Sequence, residues 1–346
     1  MLEIKKIRVA GISCCVPQEI AYNKDVQGYD QERIEKIIAT TGVSKKRIAP
    51  SACCSSDLCF AAVEDLLERM SIKKEDIGAL IFVSQTPDYR LPATACVLQE
   101  RLGLPTDTIA FDVNLGCSGY VYGLYLLSCI LGTSPKKYGL LLVGDTTADY
   151  CSDKDASTFF LFGDAGTATL LESDDSAANM HFSLGTDGRG YANLIIPAGA
   201  SRQPCDENTK KMIEDDTGNI RSAEHLYMDG MEIFNFAIST VVPHVAEVIA
   251  AYPDYTAVVF HQANKYMLEF MRKSLKIDKS KFLYSLAEYG NTSSASIPVT
   301  LCNNKSNIQD LSRVILTGFG VGYSWGTAVL DLSKTLINDV VQWGVQ

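Results

Sequence analysis

Three residues in this chain have the types and settings of a nucleophile and its hydrogen-bonding partners. Cys117 lies in FDVNLGCSGYVYGLYLL (Phe111–Leu127), which begins as a strand and ends as an apolar helix. The first N–H groups of a helix are unpaired and carry the positive end of its dipole. A thiol at that point ionises more easily, and the thiolate is a nucleophile. The alternative is a small buried hydrophobe, as most free cysteines are.

His261 and Asn291 are the candidate partners of Cys117. His261 ends a buried strand in VVFHQAN, and ligand sites in open α/β sheets collect at the carboxyl edge of the strands. Asn291 lies in YGNTSSASIP, where the local sequence alone favours a simple turn or an N-cap. A lone histidine is also more often a structural residue. A functional role is favoured only because an internal repeat places both residues opposite Cys117.

The two halves of the chain repeat one order of strands and helices. The offset from Cys117 to Asn291 equals the offset from Gly144 to Gly318, and the sequence GTA recurs at 166–168 and 326–328. A doubled α/β unit explains these offsets, and its two helix starts would face one cavity. We therefore expect an N-terminal half, 1–174, that carries the nucleophile, and a C-terminal half, 175–346, that carries the histidine and the asparagine.

Hydrophobic periodicity predicts the elements that position these residues. The predicted strands are Ile4–Ile12, Leu80–Ser84, Leu140–Gly144, Thr167–Leu171, Ala257–His261 and Arg313–Gly318. The predicted helices are Gln31–Thr40, Ser56–Met70, Ala93–Leu102, Met231–Ala251, Lys265–Leu275 and Ser293–Leu301.

Composition argues against several classes of function. A net charge of −10 disfavours nucleic acid or an anionic membrane as a bulk partner. The 11 cysteines show no CxxC spacing and the 4 histidines show no zinc-type pattern, so we expect neither a metal nor a cofactor. Many unpaired thiols without a secretion signal indicate the cytoplasm. We also expect no membrane-spanning segment, because no uninterrupted apolar run of that length stands out.

Seven motifs, in order, resemble the β-ketoacyl-acyl-carrier-protein synthase III family, a branch of the thiolase-like condensing enzymes. The resemblance runs from about Ile4 to Leu332. The motifs are TGVSKKRIA (41–49), LPATACVLQERLG (91–103), DVNLGCSGYVYGL (112–124), FGDAGTA (162–168), HQAN (261–264), GNTSSASIP (290–298) and GFGVGYSWG (318–326). The resemblance implies an α/β fold, a five-layered αβαβα sandwich of two pseudo-symmetric halves, in an obligate homodimer. It also implies a catalytic triad of Cys117, His261 and Asn291.

The family's chemistry, carried onto these residues, has two half-reactions. An acyl thioester transfers its acyl group to Cys117, and a malonyl thioester then loses CO2 to give an enolate that attacks the acyl-cysteine. His261 and Asn291 would donate hydrogen bonds to the thioester oxygen where negative charge develops. The backbone N–H groups of Cys117 and Val321 would form a second oxyanion hole for the acyl carbonyl. The implied partners are acyl and malonyl thioesters and an acyl carrier protein.

Three departures from the family pattern bear on the substrate. A tryptophan and an arginine that clamp the adenine of CoA in well-studied members align near Lys36 and Ala156, which favours a carrier-protein donor. The segment Lys265–Lys281 is locally basic and suits an acidic carrier, with a solvated helix face as the alternative. The docking candidates are Lys265, Arg272, Lys273 and Lys276. Leu91 replaces an aromatic residue that the partner subunit inserts to limit the acyl pocket, so a longer or branched acyl group is expected to fit.

Other functions stay open from the sequence. An acyltransferase of secondary metabolism would pass the acyl group from Cys117 to a hydroxyl or an amine, and the intact triad weighs against it. A hydroxymethylglutaryl-CoA synthase would need a glutamate near Ser84-Gln85-Thr86, where this chain has none. A catalytically silent partner in a heterodimer would have lost the cysteine. Fatty-acid and polyketide pathways are not distinguished.

Overall fold

Strands and helices alternate along the chain, and the computed structural model describes them for residues 1–344. The strands are β1 (Leu2–Ile4), β2 (Ile7–Val16), β3 (Ile20–Tyr22), β4 (Lys45–Arg47), β5 (Ile77–Val83), β6 (Ile109–Val113), β7 (Tyr138–Asp145), β8 (Ala165–Ser173), β9 (Met180–Thr186), β10 (Leu194–Ile195), β11 (Ile213–Glu214), β12 (Ile220–Arg221), β13 (Tyr227–Met228), β14 (Ala257–Phe260), β15 (Val314–Gly320), β16 (Ser324–Leu330) and β17 (Leu336–Gln342).

The helices lie between these strands, as the hydrophobic periodicity predicts. They are α1 (Gln31–Thr41), α2 (Ser55–Met70), α3 (Thr94–Arg101), α4 (Gly119–Leu131), α5 (Ala156–Phe159), α6 (Gly230–Phe236), α7 (Val242–Ala251), α8 (Lys265–Ser274), α9 (Leu286–Tyr289) and α10 (Ser296–Asn304). A π-helical turn at Ala237–Val241 joins α6 to α7, and a 3₁₀ turn at Ser293–Ala295 leads into α10.

Two sheets share one pairing pattern. The N-terminal sheet has the order β17-β2-β8-β7-β5-β6, and the C-terminal sheet has the order β1-β9-β16-β15-β14. In both sheets a parallel pair is followed by two antiparallel pairs. In the N-terminal sheet β5 pairs with β7 in parallel, and β7 with β8 and β8 with β2 are antiparallel. In the C-terminal sheet β14 pairs with β15 in parallel, and β15 with β16 and β16 with β9 are antiparallel. The counterpart of β6 is reduced to a single parallel bridge between Val258 and Phe282.

The two sheets and their helices form five layers. Helices α4 and α10 lie between the sheets, where Leu124, Ile297 and Leu316 belong to one buried cluster. Helices α2 and α3 cover the outer face of the N-terminal sheet, and α6, α7 and α8 cover that of the C-terminal sheet. Strand residues alternate between these cores, as a sheet covered on both faces requires. The predicted αβαβα sandwich of two similar halves is confirmed.

The first predicted strand, Ile4–Ile12, is divided in the structure. Lys6 has a φ of 61°, a left-handed conformation that interrupts an extended chain. As a result β1 pairs with β9 in the C-terminal sheet, whereas β2 pairs with β8 in the N-terminal sheet. At the other end of the chain, β17 pairs with β2. Each sheet therefore carries an edge strand from the opposite end of the chain.

One helix, 230–251, is long and apolar enough by length and composition to cross a membrane. Polar residues such as Asn235 and His244 interrupt the apolar sequence of this helix, so it contains no uninterrupted apolar run of that length. Phe236, Val241 and Val245 of this helix lie in the outer core of the C-terminal half. Core helices of globular proteins have the same composition, so the helix is explained by packing.

Candidate active site

Cys117 lies in the turn between β6 and α4. Helix α4 begins at Gly119 with Ser118 as its N-cap, so Cys117 immediately precedes the helix rather than opening it. The N–H of Gly119 donates to the carbonyl of Gly116 at 2.6 Å and closes the turn. The side chain of Cys117 is buried. The turn therefore holds the thiol at the positive end of α4, inside the protein.

The end of β15 lies directly against Cys117. A Cβ atom at Gly320 would stand 2.8 Å from the Cys117 sulfur, and one at Gly318 would stand 2.8 Å from the Cys117 carbonyl oxygen. No side chain fits at either position without displacing the cysteine. This close approach brings the N–H of Val321 within hydrogen-bonding reach of the thiol, beside the N–H of Cys117 itself.

His261 and Asn291 are held by their own networks of hydrogen bonds. His261 follows the last residue of β14, and its ring Nδ1 hydrogen-bonds the Ser296 hydroxyl at 2.8 Å. The Asn291 side-chain oxygen accepts the N–H of Ser293 at 2.9 Å. Because that oxygen is occupied as an acceptor, the Asn291 nitrogen is the donor end, and it contacts the Ala263 carbonyl at 3.5 Å. These bonds orient both side chains before any substrate binds.

Two cavities meet at Cys117. The first encloses about 40 Å³ and is lined by Cys117, His261 and Asn291 together with Phe162, Met267 and Gly320, among others. The second encloses about 500 Å³ and is lined by Cys117, Val321 and Gln85 together with Asn114, Tyr191 and Ile196, among others. The structure thus brings the three residues singled out in the sequence around one small space. It also gives the thiol a second, larger space on its other side.

Burial dominates the electrostatics of the site. It raises the pKa of the Cys117 thiol to about 12, although the N–H groups of Val321 and Cys117 act in the opposite direction. Burial also lowers the pKa of His261 to about 3. The sequence predicted a more acidic thiol from the helix start alone. That expectation was wrong for the resting site, because the cost of removing a thiolate from water exceeds the gain from the backbone donors.

Two family models match the chain: 3-oxoacyl-[acyl-carrier-protein] synthase III over residues 111–188 and its C-terminal part over residues 251–332. The β-ketoacyl-[acyl-carrier-protein] synthase III of Caldanaerobacter subterraneus is 32% identical, over 94% of this chain and 98% of that protein. The chain belongs to the synthase III family. The enzyme of the same name from Enterococcus faecalis is 31% identical, over 93% of this chain and 99% of that protein.

A solved structure agrees with this assignment. The 3-oxoacyl-(acyl-carrier protein) synthase of Burkholderia xenovorans superposes with a TM-score of 0.91 at 39% identity, over 99% of this chain and 98% of that chain. The chain is thus a synthase III-type condensing enzyme, an acyltransferase with the thiolase-like fold. The motifs that carried the sequence resemblance at Cys117 and His261 fall inside the two matched regions.

The other residues singled out in the sequence lie outside this synthase III site. Leu91 is 82% exposed and lines neither cavity at Cys117. Lys265, Lys273 and Lys276 are exposed on or just after α8. Arg272 differs from them, because it pairs with Glu269 at 2.9 Å and donates to the Ile277 carbonyl at 2.9 Å. A guanidinium held in this way is less available to a partner than the three lysines.

Asp145 is a site residue that the sequence analysis missed. It is fully buried at the carboxyl end of β7, and its charge acts on Cys117. The rule that singled out His261, a polar residue where a buried strand ends, applies equally to Asp145. It was overlooked because VGDTT (143–147) belongs to none of the motifs that carry the family resemblance.

Proposed function

We propose that Cys117 is the residue that this synthase III acylates. Its sulfur attacks the carbonyl of an acyl thioester, and the thiol of the donor leaves. The position of Cys117 between the two cavities supports this, because the acyl chain can occupy one cavity while the other receives the thioester arm. The N–H groups of Cys117 and Val321 are the proposed oxyanion hole. They already reach the sulfur, so they lie beside a carbonyl bonded to it.

His261 and Asn291 are assigned to the malonyl half-reaction. Both are donors in the small cavity that also contains Cys117. When a malonyl thioester loses CO2, negative charge moves onto its thioester oxygen, which these two donors stabilise. The enolate carbon then attacks the acyl carbonyl, and the Cys117 thiolate is released. The depressed pKa of His261 suits this role, because a neutral imidazole has an N–H to donate and no charge to bury.

This assignment disfavours transfer of the acyl group to an alcohol or an amine. Such a transfer involves no decarboxylation, so no enolate forms. His261 and Asn291 would then have no developing charge to stabilise in the first cavity, although both are positioned by hydrogen bonds. We therefore assign malonyl thioester, and not an alcohol or amine, as the acceptor.

We infer that the acyl donor is a carrier protein rather than free CoA. Lys36 and Ala156 stand where the family's CoA-primed members have an adenine clamp, and Lys36 points to solvent in an ion pair with Glu32 at 2.6 Å. Lys265 and Lys273 line a surface groove that also contains the exposed rings of Tyr266 and Phe270, with Glu269 as its one acidic lining residue. Positive charges around an apolar strip suit an acidic carrier, because the charges steer its approach and the rings supply contact area.

Reversing Lys265 and Lys273 to glutamate is expected to lower kcat/KM for condensation with an acyl-carrier donor by about tenfold at low salt. The reason is that two attractive charges become repulsive. The effect should shrink at high salt, where exposed charges are screened. Arg272 is left unchanged because it is held by Glu269. The measurement is the rate of 3-oxoacyl product formation for one acyl group on carrier and on CoA.

The control for this prediction is the reversal of Lys5 and Lys6, which are exposed near β1 at the opposite edge of the C-terminal sheet. That variant should match the parent enzyme on both donors. Equal use of acyl-CoA and acyl-carrier by the parent enzyme would contradict a carrier-specific donor. If the reversal of Lys265 and Lys273 lowers kcat/KM equally for the acyl-carrier and acyl-CoA donors, the lysines act on the thioester arm that both donors share.

The proposed assembly is a homodimer formed across β6. This strand is at the edge of the N-terminal sheet, and Ile109 on it is 51% exposed. An exposed edge strand with apolar side chains is a surface on which another chain can pair. Leu91 and Tyr89 are exposed as well, so a second copy seated there has apolar side chains to bury. In the family, the partner subunit places a residue at the Leu91 position in the acyl pocket.

Replacing Leu91 by phenylalanine is expected to lower the preference of the enzyme for long over short acyl groups by about tenfold. The larger ring from the second copy would shorten the acyl pocket, while the catalytic groups stay in place. The measurement is kcat/KM for a series of acyl lengths, made alongside the mass of the protein in solution. A monomeric mass in solution would contradict a shared pocket. So would a dimeric Leu91→Phe variant with an unchanged preference for acyl length.

A further inference from the structure

A fully buried carboxylate near Cys117 has no role in the mechanism described above. Asp145 accepts the N–H of Gln85 at 2.7 Å and the Ser84 hydroxyl at 3.1 Å on one oxygen, and the Ser294 hydroxyl at 2.8 Å on the other. Among the ion pairs of residues 1–344, none includes Asp145. Burying a carboxylate without a cation is costly even when hydrogen bonds support it, so its retention beside a reactive thiol calls for an explanation.

Ser293 connects this carboxylate to the thiol. Ser293 lines the larger cavity together with Cys117, and the next residue, Ser294, donates to Asp145. The Ser293 side chain acts on both groups, because it lowers the pKa of the Cys117 thiol and that of the Asp145 carboxyl. Its backbone has a φ of 49°, unusual for serine, and is held there because its N–H donates to Asn291 and its carbonyl faces His261. Strained residues of this kind persist where the surrounding contacts fix them, and they cluster at active sites.

We propose that Ser293 and Asp145 form a proton path that activates Cys117. As the sulfur attacks the acyl thioester, the thiol proton moves to the Ser293 oxygen while the Ser293 hydroxyl proton moves to the Asp145 carboxylate. The S–C bond forms, and the tetrahedral oxyanion is held by the N–H groups of Cys117 and Val321. When it collapses, the thiolate of the donor leaves and takes the proton back from Asp145 through Ser293. The proposal rests on Cys117 as the acylated residue.

Asp145 is favoured over His261 as the acceptor of this proton, because the transfer to Asp145 creates no additional buried charge. Moving a proton from Cys117 to a carboxylate transfers one negative charge between buried sites. Moving it to neutral His261 creates two new charges in a buried site, and burial opposes each of them. The charge of Asp145 raises the pKa of two thiols, those of Cys117 and of Cys59 on α2. Burial keeps both thiols protonated. The pKa of Asp145 is itself raised by burial, which makes it a better proton acceptor than an ordinary carboxylate.

The test is the pH dependence of the reaction of Cys117 with iodoacetamide and with an acyl thioester. In the parent enzyme both rates should become nearly constant at pH values above the raised pKa of Asp145, where the carboxylate is ionised. They should fall as the pH drops through the raised pKa of Asp145. In Asp145→Asn and in Ser293→Ala the rates at pH 7 should be about a hundredfold lower. They should then rise about tenfold per pH unit, because the thiol must now ionise unaided toward its own high pKa.

Asp164→Asn is the matched control. Asp164 is also a buried carboxylate, but it accepts the N–H groups of Ala49 and Ala148 and is not among the groups that act on Cys117. Its replacement should leave the shape of the pH profile unchanged, whatever it does to thermal stability. The double variant of Ser293 and Asp145 should be no slower than either single variant, as expected for residues that act as one unit.

Other outcomes would overturn the proton path. Faster alkylation in Asp145→Asn at neutral pH would mean that the carboxylate only repels the thiolate. Slower reactions with an unchanged pH profile would mean that Asp145 only supports the fold. Because iodoacetamide requires no acyl donor, its profile stays informative even when no acyl thioester is accepted. Failure of the path is therefore distinguishable from failure of the proposed acyl transfer.

Discussion

Replacing Cys117 by serine abolishes the transfer of an acyl group from a thioester to this protein. The parent enzyme should gain one acyl mass, and Cys117→Ser none, when both are followed by mass spectrometry of the intact chain. A serine hydroxyl is a much weaker nucleophile than a thiol at the same position. We expect the loss to exceed a thousandfold, the scale at which a missing nucleophile dominates catalysis.

The chain offers two cysteines as controls. Cys96 on α3 is exposed, and Cys151 is partly buried in the N-terminal half. Cys96→Ser and Cys151→Ser should take up one acyl group at the parent rate, because neither lines the cavities that contain Cys117. A persistent acyl mass on Cys117→Ser, mapped by peptide analysis to Cys96 or Cys151, would contradict the assignment.

The fold was predictable to the level of layers because it is built from local patterns. Buried strands such as β5 and β14 are short apolar runs in the sequence. The offset from Cys117 to Asn291 equals that from Gly144 to Gly318, and this equality indicated the doubled unit. The ends of elements were less accurate, since they depend on single backbone conformations. The left-handed conformation at Lys6, which sends β1 and β2 to different sheets, has no counterpart in the hydrophobic pattern.

The electrostatics of the site were not predictable, since they depend on contacts between distant parts of the chain. The sequence places Cys117 before a helix, but it does not show that the end of β15 packs directly against the sulfur. It also does not bring Ser293 and Asp145 to the thiol, because those contacts join segments far apart in the chain. The same limit applies to Arg272, which counts as a basic residue in the sequence but is paired with Glu269 in the structure.

Asn291→Ala and His261→Ala should each lower the rate of malonyl decarboxylation and condensation by a hundredfold or more. Acylation of Cys117 should persist in both variants. The reason is that the two donors serve the enolate oxygen, whereas the acyl carbonyl is served by the N–H groups of Cys117 and Val321. Release of CO2 from a malonyl thioester and the acyl mass on the chain, measured on one sample, separate the two half-reactions. Persisting acylation also shows that the variant is folded.

The pH dependence tests the charge state of His261 in the same assay. Its pKa of about 3 lies below the ordinary range, so the imidazole gains its proton only in acid and stays a neutral donor from pH 5 to 8. Decarboxylation should therefore show no step near pH 6.5. A step there, removed by His261→Ala, would mean that the charged imidazolium takes part.

Two further variants separate donation from packing at Asn291. In Asn291→Asp one oxygen can still accept the Ser293 N–H, but the other atom cannot donate and adds a negative charge beside the enolate. This variant should decarboxylate as poorly as Asn291→Ala. Asn304→Ala is the control, because Asn304 donates only to the carbonyls of Tyr284 and Thr300 and should retain the parent rate. Rapid decarboxylation by Asn291→Asp would mean that Asn291 only maintains the conformation of its turn. His261 would then be the residue that donates to the enolate oxygen.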